Sequence, residues 1–195
     1  MKNIPAIATL LTVFCTCAIA AEFKDDFTNP RLEQRRAARG DWKIADGIAR
    51  CTQDDELYKK NKDHGPILFY DVPTQDSVVH FAFRPQGCKN IVFTLNGEGN
   101  HVFRLLIGDK GATVRAFPAG GKEHVAKTLA QDGPKLVQGE WTEVTVEIRG
   151  PKATVKIGKD YAKTVEDPAI AQAKTNISVG YSFGTLEVKG FAVMP

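Results

Sequence analysis

The chain has 195 residues, 43% hydrophobic and 25% charged, with a formal net charge of +3. This length and composition suit one globular domain around one core and leave little room for a second. Twenty-six Lys and Arg stand against 23 Asp and Glu with no aromatic-rich basic stretch, which argues against a nucleic-acid-binding role.

Residues 1–20 read as a signal peptide. Lys2 supplies the positive charge, Ile4 to Val13 is almost wholly apolar, and Ala18-Ile19-Ala20 has the small-x-small form of a cleavage site. Cys15 and Cys17 lie in this segment without a convincing lipoprotein-type sequence. The mature chain is expected to be a single domain over residues 21–195, exported to the periplasm or the cell exterior. No later stretch reaches the roughly 20 apolar residues of a membrane span. Cys51 and Cys88, the cysteines that remain, would enter an oxidising compartment, where a disulfide between them is expected. Two separate buried thiols are the alternative. Without CxxC spacing the pair cannot supply a zinc tetrahedron, and no metal or cofactor site is expected.

"RLEQRRAARG", Arg31 to Gly40, reads as a solvated loop or a short helical turn. From Asp41 onward a period of two dominates. "DWKIADGIARC", "GPILFYDV", "SVVHFAFR", "NIVFTLN", "HVFRLLIG", "ATVRAF", "WTEVTVEIRG", "ATVKIG", "NISVGYS" and "TLEVKGFAV" all alternate as strands do. Turn chemistry separates many of them, as at Asp46-Gly47, Asn96-Gly97-Glu98-Gly99, Asp109-Lys110-Gly111 and Gly150-Pro151. Only "DPAIAQAK" looks helical, with Asp167 as N-cap and Pro168 at the first helical position, and it is too short for more than one or two turns. The expectation is an all-β sandwich of two antiparallel sheets with at most one or two short helices.

The order of elements carries a resemblance. "FKDDF", "WKIADG", "DSVVHFAFR", "GEWTEVTVEIRGPKATVKIG" and "ISVGYSFGTLEVKGFAV" resemble the concanavalin A-like jelly-roll modules. Within that superfamily the chain is most similar to the secreted bacterial 3-keto-disaccharide hydrolase domain family, related to family 16 glycoside hydrolases. The resemblance implies a jelly-roll β-sandwich and a glycosidic substrate. Two places depart from it. "FAFR", Phe81 to Arg84, stands where hydrolase members tend to have an acidic residue, and "VFRLLI", Val102 to Ile107, where they tend to carry a Glu-x-Gln-type strand.

Glu143, Thr145 and Glu147 alternate with Val144, Val146 and Ile148 on one strand. A retaining glycosidase needs two carboxyl groups about 5 to 5.5 Å apart. On a flat strand the alpha carbons of Glu143 and Glu147 stand roughly 13 Å apart. Thr145 holds the middle place, where jelly-roll glucanases present an Asp that tunes its neighbours. The acidic strand therefore reads as a solvated face. Trp42 and Trp141, each opening a strand, read as core-edge packing.

Loops aimed by a rigid scaffold are where function concentrates. The resemblance marks Asp63 and His64, in an Asp-His-Gly loop, with Asn96 and His101, around a Gly-rich turn, as the best polar group. Tyr58, in the polar loop "TQDDELYKKNKDHG", is a further contact candidate. Acids at Gln53 to Glu56 lack EF-hand spacing. Three readings follow: an exported module that binds carbohydrate or another cell-envelope polymer without hydrolysing it, a small glycoside or 3-keto-disaccharide hydrolase, or a structural envelope protein. The sequence leaves the oligomeric state open.

Overall fold

The computed structural model describes residues 22–119 and 125–195. The segment read as a signal peptide, 1–20, and His124 lie outside the described residues. Fifteen strands form two antiparallel sheets among the described residues.

The first sheet runs β13 (Tyr161–Glu166), β12 (Lys152–Ile157), β11 (Thr142–Arg149), β6 (Ser77–Gln86), β15 (Thr185–Met194), β4 (Ile48–Thr52) and β3 (Lys43–Ala45). A short β1 (Phe23–Asp25) also pairs with β15. The second sheet runs β10 (Lys127–Ala130), β9 (Gly111–Ala116), β8 (Asn100–Gly108), β7 (Asn90–Gly97), β14 (Asn176–Ser182), β5 (Ile67–Tyr70) and β2 (Arg35–Ala38).

Alternation decides which side chains meet between the sheets. Phe81, Phe83, Val144, Val146, Val155 and Leu186 point inward from the first sheet, and Leu68, Phe93, Leu95, Phe103, Leu105 and Val179 from the second. The rings of Tyr70 and Phe191 stack across the interface at 3.6 Å, 7° from parallel. Because successive side chains point to opposite faces, the same alternation leaves each sheet one polar outer face.

Two local expectations are corrected. The Arg31 to Gly40 run is neither loop nor helix throughout, since Arg35–Ala38 forms the edge strand β2. Arg35 turns inward, where its guanidinium makes a two-oxygen ion pair with the buried Asp25 at 2.7 and 2.8 Å. Tyr70 Oη also donates to Asp25. The polar loop after β4 contains a six-residue helix, α1 (Asp55–Lys60), capped by Asp54, whose carboxylate accepts from the Glu56 and Leu57 amides. The "DPAIAQAK" segment is helical as expected, for one 3-10 turn, Pro168–Ala171, with Asp167 as its cap.

The expected Cys51–Cys88 disulfide is not formed, since both cysteines are free and buried. Cys51 lies on β4 opposite Leu186, and Leu186 in turn faces Pro85 on β6. Strand β15 thus stands between the strand carrying Cys51 and the strand end leading to Cys88. Cys88 Sγ instead donates to the Thr185 carbonyl at 3.1 Å.

Candidate functional site

The outer face of the second sheet carries a cavity of about 470 Å³. Its floor follows from strand alternation, with Thr94 and Asn96 on β7, Ser178 and Gly180 on β14, and Phe69 on β5. The positions between them, Phe93, Leu95, Val179 and Leu68, face the core. Small polar groups beside an aromatic ring and the aliphatic Ile67 and Val92 give a floor both hydrogen-bonding and apolar.

One wall is the loop from Gln53 to Gly65, tied down at both ends. Near its start, Gln53 Oε1 accepts from the Phe183 amide at 2.7 Å and the Gln53 amide donates to the Gly184 carbonyl at 2.9 Å. The Tyr58 ring packs on Phe183 at 5.2 Å. At its far end Gly65 lies against β14 so closely that a Cβ would sit 1.9 Å from the Tyr181 carbonyl oxygen. Helix α1 stops through Lys62 and Asp63, both left-handed with φ of 54° and 60°, a conformation costing L-residues about 1 kcal/mol each. That reversal brings His64 to the cavity edge, where its Nδ1 lies 3.0 and 2.8 Å from the carbonyls of Asn61 and Lys62. Both partners are acceptors, so Nδ1 carries the proton.

The opposite end is built on the β7–β8 hairpin. Register shifts between Leu95 and Asn96, so that Asn96 pairs with His101 across the strands. Asn96 Nδ2 donates to Asn176 Oδ1 at 2.9 Å and to Ser178 Oγ at 3.3 Å, which turns its Oδ1 toward His101 Nδ1 at 2.7 Å. The network therefore assigns the His101 proton to Nδ1. The edge of the His101 ring meets Phe117 at 5.3 Å. A second hollow of about 330 Å³ adjoins this end and shares Asn96 and His101.

All five residues singled out by sequence, Tyr58, Asp63, His64, Asn96 and His101, line the one cavity. His80 does not. It sits on the outer face of the first sheet with its Nδ1 3.2 Å from Thr145 Oγ1. Sequence reasoning passed over Ser178, Ser182, Phe69, Arg39 and Arg104, which also line the cavity. The available signal was the row Asn90, Thr94, Asn96 and the row Asn176, Ser178, Ser182, small polar residues where a solvated strand ordinarily carries Lys or Glu.

The acidic strand lies on the other side of the molecule. Glu143 and Glu147 project from β11 on the outer face of the first sheet, and Glu147 pairs with its neighbour Arg149 at 3.3 Å. Trp141 is not core packing. Its indole lies on that outer face, 4.9 Å from the Arg84 guanidinium and 4.2 Å from Lys189 Nζ. Asp63 is the sole carboxylate among the described residues lining the cavity.

No protein-family profile matches the chain, and no curated protein sequence matches it. Known structures do. A Bacillus licheniformis β-glucanase superposes with a TM-score of 0.66 at 10% identity, over 89% of this chain and 98% of that one. The fold is a jelly-roll β-sandwich. The carbohydrate-binding module CBM66 of Bacillus subtilis is similar at a TM-score of 0.61 and 8% identity, over 83% of this jelly roll's chain and 96% of its own. The CBM2 module of an evolved Dit protein from Lactobacillus casei BL23 phage J-1 matches at 0.62 and 11%, over 90% and 94%. At such identities the likeness concerns architecture.

Proposed function

We propose that this protein is an exported module that binds carbohydrate, or a carbohydrate-bearing envelope polymer, on the outer face of the second sheet without hydrolysing it. The observation that carries this reading is the cavity itself. Fixed hydrogen-bonding groups at both ends, the imidazoles of His64 and His101 with Asn96 and Ser178, flank an apolar floor of Phe69, Ile67 and Val92. A sugar ring offers both surfaces at once, hydroxyls around its rim and C–H groups on its faces. Asp63 is the sole carboxylate among the described lining residues, so these residues assemble no pair of acids of the kind a glycosidase uses. Likeness to two carbohydrate-binding modules agrees with this reading.

A hydrolase acting on glycosidic bonds or on 3-keto-disaccharides is the second reading. It draws on the glucanase likeness and on His101, whose tautomer is held by Asn96 as a general base requires. A glycan-binding screen coupled to measurement of released reducing sugar separates the two. Binding without release, weakened at least tenfold by His101→Ala and by His64→Ala at unchanged Tm, is the expected result. Release that His101→Ala abolishes would establish the hydrolase, and neither binding nor release would leave a structural role. Export is tested by intact mass of the secreted product, which should lack residues 1–20.

A further inference from the structure

Arg104 lines the groove and Arg115 is its partner on the next strand, and the described residues give neither a counter-charge. Arg104 on β8 and Arg115 on β9 are direct partners across the strands, both on the outer face of the second sheet. Like charges placed directly opposite one another destabilise a sheet. Arg104 is fixed rather than loose, since its Nε donates to Thr94 Oγ1 at 3.3 Å and its guanidinium lies 5.2 Å from the Phe117 ring centre. Burial, then the charge of Arg115, pulls its pKa below the ordinary arginine value. The buried Nε of Arg115 has no hydrogen-bond partner among the described residues.

Among the described residues neither arginine forms an ion pair with a carboxylate, and nor does Arg39 at the other end of the cavity. The first sheet handles its arginines differently. There Arg84 and Arg50 flank the buried Glu187, which pairs with both. Two arginines paired across neighbouring strands, with no acid beside them among the described residues, offer a site for a planar or tetrahedral anion, which arginine grips through paired N–H donors.

We infer that the saccharide this groove takes is anionic, with a carboxylate or sulfate group on a sugar ring seated at Arg104 and Arg115 while the ring lies along the floor toward Asn96 and His101. The inference rests on the carbohydrate-binding reading of the site and narrows it to a chemical class. A carboxylate presents two oxygens to the arginines, a sulfate three. Either would relieve the repulsion that the free protein carries. Removing one arginine should therefore weaken binding without weakening the fold.

The test is affinity electrophoresis or calorimetry of the mature protein with polygalacturonate, dextran sulfate and unmodified dextran, each at 50 and 300 mM NaCl. Binding to one or both acidic polymers but not to dextran is expected, at least tenfold weaker at the higher salt. Preference between the two acidic polymers identifies the carboxylate or the sulfate. Arg104→Gln and Arg115→Gln should each reduce affinity at least tenfold, with the Tm of Arg115→Gln equal to or above that of the parent. Arg149→Gln, on the opposite sheet, should leave affinity unchanged. Equal loss in Arg149→Gln would mean diffuse electrostatics and would overturn the inference. Dextran bound as tightly as the acidic polymers, in a manner sensitive to His101→Ala but not to Arg104→Gln, would also overturn it while leaving the carbohydrate-binding reading intact. Binding to none of the three, with no neutral glycan bound in a wider screen, would remove both.

Discussion

Gly65 shows how a single position fixes the site. Any side chain there would drive a Cβ into the Tyr181 carbonyl oxygen, a backbone atom that cannot swing aside. Gly65→Ala should cost about 1–3 kcal/mol by overpacking, read from the urea midpoint, and should lift Asp63 and His64 off the groove with loss of ligand binding. Cys88 makes a different test. Burial pushes its thiol up to about 11 from an ordinary value of 9.0. Between those values the folded protein keeps the proton that the unfolded chain releases, so this contribution is complete below pH 9 and is lost as pH climbs through 11. The loss is on the order of 2 kcal/mol. Lys174, buried between the Gln75 and Ile170 carbonyls and pushed down to about 8, acts in the opposite sense. The comparison with Cys88→Ala isolates the thiol: that variant should be less stable at pH 7 but lose less stability between pH 8.5 and 10.5. At this scale the sequence exposed the histidines and Asn96, because they flank turns. It hid Arg104 and Ser178, because a polar residue facing outward from a strand has the same pattern whether it meets water or a ligand.

The elements divide along a similar line. Long strands such as β6, β7 and β11 were legible from alternation alone, since each buries one face and wets the other. Helix α1 was not, because six residues are too few to display a 3.6-residue period, and none of them is buried. Strand β2 was disguised by its arginines, one of which turns inward only because Asp25 is there to receive it. The acidic strand β11 tests the distinction between a wet face and a working one. Glu143→Gln and Glu147→Gln should each shift stability by no more than about 0.5 kcal/mol, as solvated substitutions do. Glycan binding should be unchanged, since both side chains lie on the sheet opposite the groove. A tenfold loss of binding in either variant would move the site to the first sheet.

At the scale of the whole molecule, the sandwich was legible but its wiring was not. Alternation says that a strand has a buried face, not that β6 will lie between β11 and β15, partners respectively about 60 and 110 residues away in sequence. The Cys51–Cys88 bridge belongs to the same scale: cysteine number is visible in a sequence, while the pairing of two buried thiols is not. The sheets themselves are joined at one end by the Asp25–Arg35 pair. Asp25→Ala leaves the Arg35 charge buried and unmatched, so it should destabilise by about 3–5 kcal/mol, measured by urea unfolding. Replacing both partners should cost less than the sum of the two single changes. The loop from Gln53 to Gly65, held to the Phe183–Gly184 turn at one end and to Tyr181 at the other, has a kinetic consequence. A loop tied down in this way should need no further ordering for the proposed ligand, so that encounter and capture would be one event. In stopped-flow measurements the observed association rate should rise linearly with ligand concentration and show no plateau, because no slow closing step stands between collision and the bound state.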